Sequence, residues 1–426
     1  MKTPRVLVVS VNAFNKGGSN GKVLTEFFQN WDSNCLAQFY THNETPNFSN
    51  CNAYYRVTDK EALKAFLPWV KVGKPLVIDN NGGASRMDSS TKKKSSKNPL
   101  TYLLRDIIWN SCCWRSKSFW CWIDNFKPDI IVTMAGASSF IHKIAIDISN
   151  HCNVPLLVYN TENYYFKEYN YLKGRGWGWL YPIYRMECVR MFRKLMMRSS
   201  REIYNNKKLD DLYSQEFGRH GTVIYQASNL NVMDNPPSNK PLRFTYAGNL
   251  GINRHKALIE IGHALQSISK DYFLDVYGRA SEDVEEQLQR SEGIRYHGLV
   301  AYNDVLQVME QSNFMVHAES FEPFWIKDLS TAFSTKLSDI LKAGKCLILY
   351  ADSSLACSQY VIDNDCGCVI TNQIELEHRI KELIASPELQ NHYKKNAIVV
   401  SQRDMDSLKT SNTFLGIIQA VVQDSK

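Results

Sequence analysis

Residues 242–251 read Leu-Arg-Phe-Thr-Tyr-Ala-Gly-Asn-Leu-Gly. Leu242 to Ala247 has the short, β-branched and aromatic make-up of a strand. Gly248-Asn249-Leu250-Gly251 then breaks the run, and a helical pattern follows from about Lys256 to Ser269. A strand that runs through a glycine turn into a helix is the repeating unit of a parallel α/β sheet.

The same order recurs on both sides of this stretch. Downstream, strands are expected at Phe273–Tyr277 before Gly278, Ile294–His297 before Gly298, Asn313–His317 and Cys346–Tyr350, with helical patterns between them. Upstream, Val6–Val11 runs into Asn-Lys-Gly-Gly and a helix from Val23 to Phe28. Pro128–Thr133 and Val154–Tyr159 are further strands, each ending at a polar turn. Residues 229–241, Asn-Leu-Asn-Val-Met-Asp-Asn-Pro-Pro-Ser-Asn-Lys-Pro, are polar, proline-rich and aperiodic. The expectation is therefore α/β throughout: a Rossmann-like domain over 1–228, a linker over 229–241, and a second Rossmann-like domain over 242–400. A last segment, 401–426, would carry a helix from about Ser407 to Val422 that packs back across the junction.

A chain of 426 residues exceeds what one core usually spans, and 44% hydrophobic with 22% charged residues is a globular balance. The net charge of +7 is mild; it suits anionic small molecules or an anionic membrane face and does not by itself indicate nucleic acid. The 11 cysteines include no C-x-x-C, so zinc-finger and thioredoxin chemistry has no support and reduced thiols are expected. The apolar run after Met1 is too short for a signal peptide and reads as the first strand. No stretch is long and apolar enough for a transmembrane helix. Residues 83–100 are polar and basic and read as an exposed loop.

Chemistry concentrates at Ser334-Thr-Lys-Leu-Ser-Asp-Ile-Leu-Lys-Ala-Gly344. Ser334 or Thr335 suits an N-cap and Gly344 the position past the helix end. Leu337, Ile340 and Leu341 make the buried face. Lys336 then stands in the first turn, where the helix dipole disfavours a cation, unless an anion lies in front of it. A nucleotide diphosphate fits there, and Asp339 would accept hydrogen bonds from a ribose diol. An ordinary amphipathic helix with solvated charges is the alternative. Gly248 and Asn249 allow close backbone approach, with Arg254 and Lys256 within reach of a phosphate. Glu319 and Glu322 follow a strand, where open α/β sheets bind ligands, and would hold sugar hydroxyls; solvated loop carboxylates are the alternative. Glu162 follows the strand at Val154–Tyr159 and is the candidate for orienting or deprotonating an acceptor hydroxyl, against a capping or surface role. The loop at Gly17 and Gly18 is neither a Walker A motif nor G-x-G-x-x-G; it suits a sugar or an anion ahead of a helix, or is a plain tight turn.

Residues 169–201 hold eight Lys or Arg and one acidic residue, with Trp177, Trp179, Tyr181 and Tyr184 interleaved. Trp109, Trp114, Trp120 and Trp122 cluster near Arg105, Arg115 and Lys117. Tryptophan with cations suits an interfacial membrane face; a core helix with a basic outer side is the alternative.

Ala-Gly-Asn-Leu-Gly (247–251), Asp-Val-Tyr-Gly (275–278), Tyr-His-Gly (296–298) and the Ser-Thr-Lys helix occur in an order and spacing that resemble the C-terminal domain of GT-B glycosyltransferases. The likeness is to the large retaining family that builds bacterial surface polysaccharides, over about 242–372. It implies two Rossmann-like domains facing each other across a cleft and a UDP- or GDP-sugar donor. It also implies a metal-independent site with no cofactor, and a saccharide or polyprenyl-linked acceptor. On that resemblance Tyr277, Gly278 and His297 join Gly248, Asn249, Arg254, Lys256, Glu322, Ser334, Thr335, Lys336 and Asp339 at the donor. Glu162 and Glu319 would be catalytic, and Gly17 and Gly18 would meet the acceptor. The family has two glutamates eight positions apart; here the second is Asp339 and the first is Thr331, which carries no carboxylate. The expected function is glycosyl transfer in surface-polysaccharide synthesis (capsule or lipopolysaccharide), in the cytoplasm at the inner face of the membrane. A nucleotide-sugar epimerase on the same fold and a catalytically silent binding protein are the alternatives.

Overall fold

The computed structural model describes residues 3–14, 19–67, 69–70, 72–76, 98–167, 170, 172, 176–234 and 242–425. The chain divides into two compact units: residues 1–224 with 408–426, and Tyr225–Ser407.

Unit 1 runs β1 (Val6–Ser10), α1 (Ser19–Phe27), β2 (Leu36–Tyr40), β3 (Ala53–Arg56), α2 (Asp59–Lys64), β4 (Lys74–Leu76), α3 (Pro99–Asn110), α4 (Lys117–Phe126), β5 (Ile130–Met134), α5 (Ser139–Cys152), β6 (Leu156–Asn160), α6 (Tyr181–Arg198), β7 (Arg201–Tyr204), α7 (Lys207–Phe217) and β8 (Thr222–Val223). Its sheet has the order β4-β3-β2-β1-β5-β6-β7-β8, parallel except where β4 pairs β3. β1 is central and wholly buried, and its side chains alternate: Leu7 and Val9 enter the core on one face, Val6 and Val8 the core on the other. A strand covered on both faces is apolar at nearly every position, which is why Val6–Val9 reads as a continuous run.

Unit 2 runs β9 (Phe244–Ala247), α8 (Arg254–Ile268), β10 (Leu274–Tyr277), α9 (Glu282–Arg290), β11 (Ile294–Gly298), α10 (Tyr302–Glu310), β12 (Phe314–Ala318), α11 (Pro323–Leu329), α12 (Thr335–Lys342), β13 (Cys346–Tyr350), α13 (Ala356–Asp363), β14 (Cys368–Ile370), α14 (Gln373–Ala385) and α15 (Pro387–Asp404). The sheet order β11-β10-β9-β12-β13-β14 reads 3-2-1-4-5-6 within the unit, the Rossmann order. Its switch point lies between β9 and β12, where Phe244 stacks on Phe314 at 4.9 Å.

The unit boundaries differ from the pattern-based ones. Residues 225–228 pack with unit 2: the Tyr225 ring meets Phe333 and Tyr360, and the Ser228 amide donates to Met405 O at 3.0 Å. Residues 401–404 continue α15, so they too belong to unit 2. The last helix, α16 (Ser407–Asp424), returns to unit 1. There Phe414, Ile418, Val421 and Val422 are buried, and Phe414 stacks on Phe27 at 4.5 Å. The expected linker 229–241 falls partly outside the described residues; Leu230 and Met233 pack against the core of unit 2.

Two membrane-facing expectations are corrected. Trp109 and Trp114 are 1% and 0% exposed and meet edge to face within the core of unit 1, so they meet no surface. Tyr181 and Tyr184 are likewise buried, because they lie on the inward stripe of α6 with Met191, Phe192, Leu195 and Met196.

Candidate functional site

A cavity of about 510 Å³ opens at the carboxyl ends of the unit 2 strands. One wall is the turn after β9, with Ala247, Gly248 and Asn249; Tyr277, Gly278 and Arg279 follow β10. Leu299, Val300, Tyr302, Val305, Leu306 and Met309 come from the loop after β11 and from α10. Met315 on β12 and Ile340 on α12 extend this apolar wall, and Lys336 and Asp339 supply the charges. The position is the one that the strand order dictates for ligands in an open α/β sheet.

Local sequence builds each wall. Gly248 N–H donates to Tyr277 O at 2.8 Å, and a Cβ on Gly278 would lie 1.9 Å from Gly248 O, so the two turns cross at a distance only glycine permits. The α8 start is strained: Ile252 and Asn253 have φ of 57° and 59°, a region costly for a β-branched residue. On α12, Ser334 accepts from the Lys336 amide and Gly344, at φ 65°, ends the helix. Leu337, Ile340 and Leu341 are buried, which turns Lys336 and Asp339 toward the cavity.

Lys336 is the distinctive charge. Burial, and then the Arg254 guanidinium, push its ammonium down to about 8. Among the described residues that ammonium has no hydrogen-bond or ion-pair partner. A desolvated, unpaired cation at a helix N-terminus is unfavourable until an anion arrives. Asp339, 9% exposed, accepts a 2.6 Å hydrogen bond from Ser228 Oγ.

Arg254 is held differently. Its Nε and Nη2 donate to Glu319 Oε2 and Oε1 at 2.7 and 2.9 Å, and His317 Nε2 lies 3.2 Å from Glu319 Oε1. Burial alone would raise the Glu319 carboxyl, but the His317 hydrogen bond and the Arg254 charge outweigh it and hold it below the usual carboxylate range. Glu319 therefore stays ionised, and His317 is the donor. This pairing joins residues 65 apart in the chain, which no local pattern shows.

The other expected site residues fall outside the cavity lining. Lys256 Nζ pairs with Glu322 Oε1 at 2.6 Å, and Asn253 Nδ2 donates to Glu322 Oε2 at 2.8 Å; all three tie α8 to the start of α11. His297 stacks on Tyr277 at 4.5 Å and its Nε2 lies 2.7 Å from Asp275 Oδ1, so it braces the Tyr277 wall from behind. Ser334 caps α12, and Thr335 begins it. Thr331 is buried at 2%. The apolar wall from Leu299 to Met309 escaped the sequence reading; its signal is the run Leu299-Val-Ala-Tyr-Asn-Asp-Val-Leu-Gln-Val-Met309, which looks like ordinary core.

In unit 1, Glu162 follows β6 with its side chain 53% exposed, 4.0 Å from Lys167 Nζ. A small cavity of about 50 Å³ lies at the β1/β5 switch point, lined by Ser10, Asn12 and residues 134–138. Gly17 and Gly18 lie outside the described residues. Among the described residues one acid–histidine cluster, Asp210, Asp211 and His220, lies elsewhere; Asp210 is already engaged by His220 Nδ1 and the Gly221 amide.

No family profile matches the sequence, and no curated protein matches it. Solved structures do match along the whole chain. HepE of Anabaena, in complex with UDP, superposes with a TM-score of 0.63 at 12% identity, over 98% of this chain and 100% of that one. Sucrose-phosphate synthase of Thermosynechococcus elongatus gives 0.60 at 11% identity, over 99% and 100%. The lipopolysaccharide outer core galactosyltransferase WaaB, in its apo form, gives 0.58 at 12% identity, over 96% and 99%. At these identities the likeness is one of fold: two Rossmann-like domains of the GT-B type.

Proposed function

We propose that the chain is a glycosyltransferase that takes its sugar from a nucleotide-diphosphate donor held in the unit 2 cavity. The observation that carries this is Lys336: a desolvated, half-buried cation with no partner among the described residues, at a helix start, opening into a cavity with one long apolar wall. That combination suits a nucleoside diphosphate, with the base against Leu299 to Met309 and the charged end against Lys336. Asp339 would hold the ribose. The fold shared with HepE, solved with UDP and with UDP-glucose, supports a uridine donor.

Bond cleavage at the anomeric carbon leaves charge on the departing diphosphate. Lys336 and the α12 N-terminus would stabilise it, with Arg254 held beside them by Glu319. Glu319, already engaged twice, then acts by positioning Arg254 rather than by attacking the sugar. We read the transfer as retaining, on the resemblance of the Ser-Thr-Lys helix. In such a reaction the leaving phosphate accepts the acceptor proton, so the chain needs no strong base. Glu162 and the loop at Gly17 and Gly18 are the proposed acceptor contacts, for a saccharide or lipid-linked acceptor in surface-polysaccharide synthesis. The remaining expected donor contacts, Lys256, Glu322 and His297, would serve by bracing the turns that carry Asn249 and Tyr277. No metal or cofactor is part of the proposal. We also place the chain at the cytoplasmic face of an anionic membrane; no helix among the described residues is long and apolar enough to cross one.

Titration calorimetry with UDP and GDP tests the donor site. Binding of one at micromolar to millimolar concentration supports it, and binding of neither removes it. Release of free nucleoside diphosphate only in the presence of an acceptor separates a transferase from an epimerase.

A further inference from the structure

Resting on the donor reading above, in which Asp339 contacts the ribose, we infer that Ser228 is a positioning residue for that contact. Its hydroxyl sets the Asp339 carboxylate, and so sets how strictly the site demands a ribonucleotide. Ser228 lies outside the cavity lining and among the first residues of unit 2.

Ser228 stands 111 residues before Asp339 and is buried. Its Oγ donates to Asp339 Oδ1 at 2.6 Å, the length of a charge-assisted bond between a hydroxyl and a carboxylate. That hydroxyl has one direction to point. The Leu230 amide donates to Ser228 Oγ at 3.4 Å, which leaves the hydroxyl proton for the carboxylate. The main chain here is fixed as well. The Ser228 amide donates to Met405 O at 3.0 Å, and Ser228 pairs with Asp406 in a parallel β-bridge. Five residues on, the Met233 amide donates to Ala343 O at 3.0 Å, just past α12. Lys342 Nζ on α12 reaches Asp406 Oδ2 at 3.2 Å. The helix that carries both cavity charges is therefore tied to chain near the two ends of unit 2, and Ser228 is the tie that acts on a cavity residue.

The terminal torsion of an aspartate is soft. Two ribose hydroxyls can be met together only where the carboxylate plane is already set. A rigid hydroxyl on one oxygen sets it, so binding carries no cost for ordering the side chain. A site built in this way rejects an analogue that lacks a hydroxyl, because a held polar group is then left unpaired.

Titration calorimetry of the full chain with UDP, 2′-deoxyuridine diphosphate and uridine tests this. Wild type is expected to prefer UDP over the deoxy analogue by about tenfold. S228A should weaken UDP by about tenfold and the deoxy analogue by no more than about twofold, so the preference nearly vanishes. The ratio of UDP to uridine, which reads Lys336, should stay as it was. K342Q breaks the tie to Asp406 and leaves Ser228 in place, so it should keep the ribose preference. In a D339N background, S228A should change the preference no further. Hydrogen exchange in the unaltered chain reads the same link: saturating UDP should slow exchange over 228–230 more than the saturating deoxy analogue does. Equal weakening of both nucleotides by S228A, an equal loss of preference in K342Q, a further loss in the D339N background, or equal protection by the two ligands would each overturn the inference. UDP binding to wild type without preference for ribose removes the Ser228 role alone; no UDP binding at all removes the donor reading and this role with it.

Discussion

Two desolvated lysines of unit 2 predict opposite outcomes from the same substitution. Lys336 is charged, desolvated and without a partner among the described residues, and burial pushes it down to about 8 from an ordinary 10.5. The folded state therefore binds fewer protons than the unfolded chain between about pH 8 and 10.5, so this group costs stability below pH 8 and the cost fades as pH rises through that window. K336M should raise the thermal midpoint at pH 7, by about 2 kcal/mol of stability, with the gain shrinking toward pH 10. The same variant should weaken UDP about tenfold or more while leaving uridine binding unchanged; equal loss for both would remove the assigned contact. In wild type, UDP affinity should fall as pH rises past about 8, where the free ammonium deprotonates. Lys345, three residues past the end of α12, is 1% exposed, and its ammonium donates to Asp234 O and Glu310 O at 2.7 and 2.8 Å. K345M strands those carbonyls and should cost about 1–3 kcal/mol in urea unfolding. Lys336 was legible from sequence because its position along a capped helix is local. The partners of Lys345 were not, since they are a loop and the end of α10, 111 and 35 residues away.

At the scale of elements, the glycine turns are the most exacting joints. Gly278 meets Gly248 O across the top of the sheet, and a methyl there has no free space to enter. G278A should lower soluble yield, or cost several kcal/mol, while G251A, whose nearest neighbour is the flexible Asn249 side chain at 3.2 Å, should be mild. Denaturation of the two variants side by side checks this. Strands such as β1 and β13 announced themselves because both their faces are covered, so nearly every residue is apolar. β4 and β8, at the sheet edges and only three and two residues long, carry no such signature. Tryptophan content misled for a related reason: composition near Trp109 and Trp114 gives no facing, and their indoles point inward while Trp179 points out.

For the whole molecule, each unit has its own cores and should melt as its own transition. F414A removes a ring packed on Phe27 and Phe28 and should lower only the unit 1 transition, by about 3–5 kcal/mol. UDP at a hundredfold over its dissociation constant should raise only the other, by about 2.7 kcal/mol. Scanning calorimetry reads both, and a shift of both transitions by either change would contradict independent units. The helix that completes unit 1 also sets an order of events during synthesis. Phe414, Ile418 and Val421 leave the ribosome after all of unit 2 has emerged, so the first unit translated is the last able to close its core. Until then the floor under β1 and α1 stays open, and the nascent chain offers chaperones a ready-made binding surface through the whole translation of the second unit.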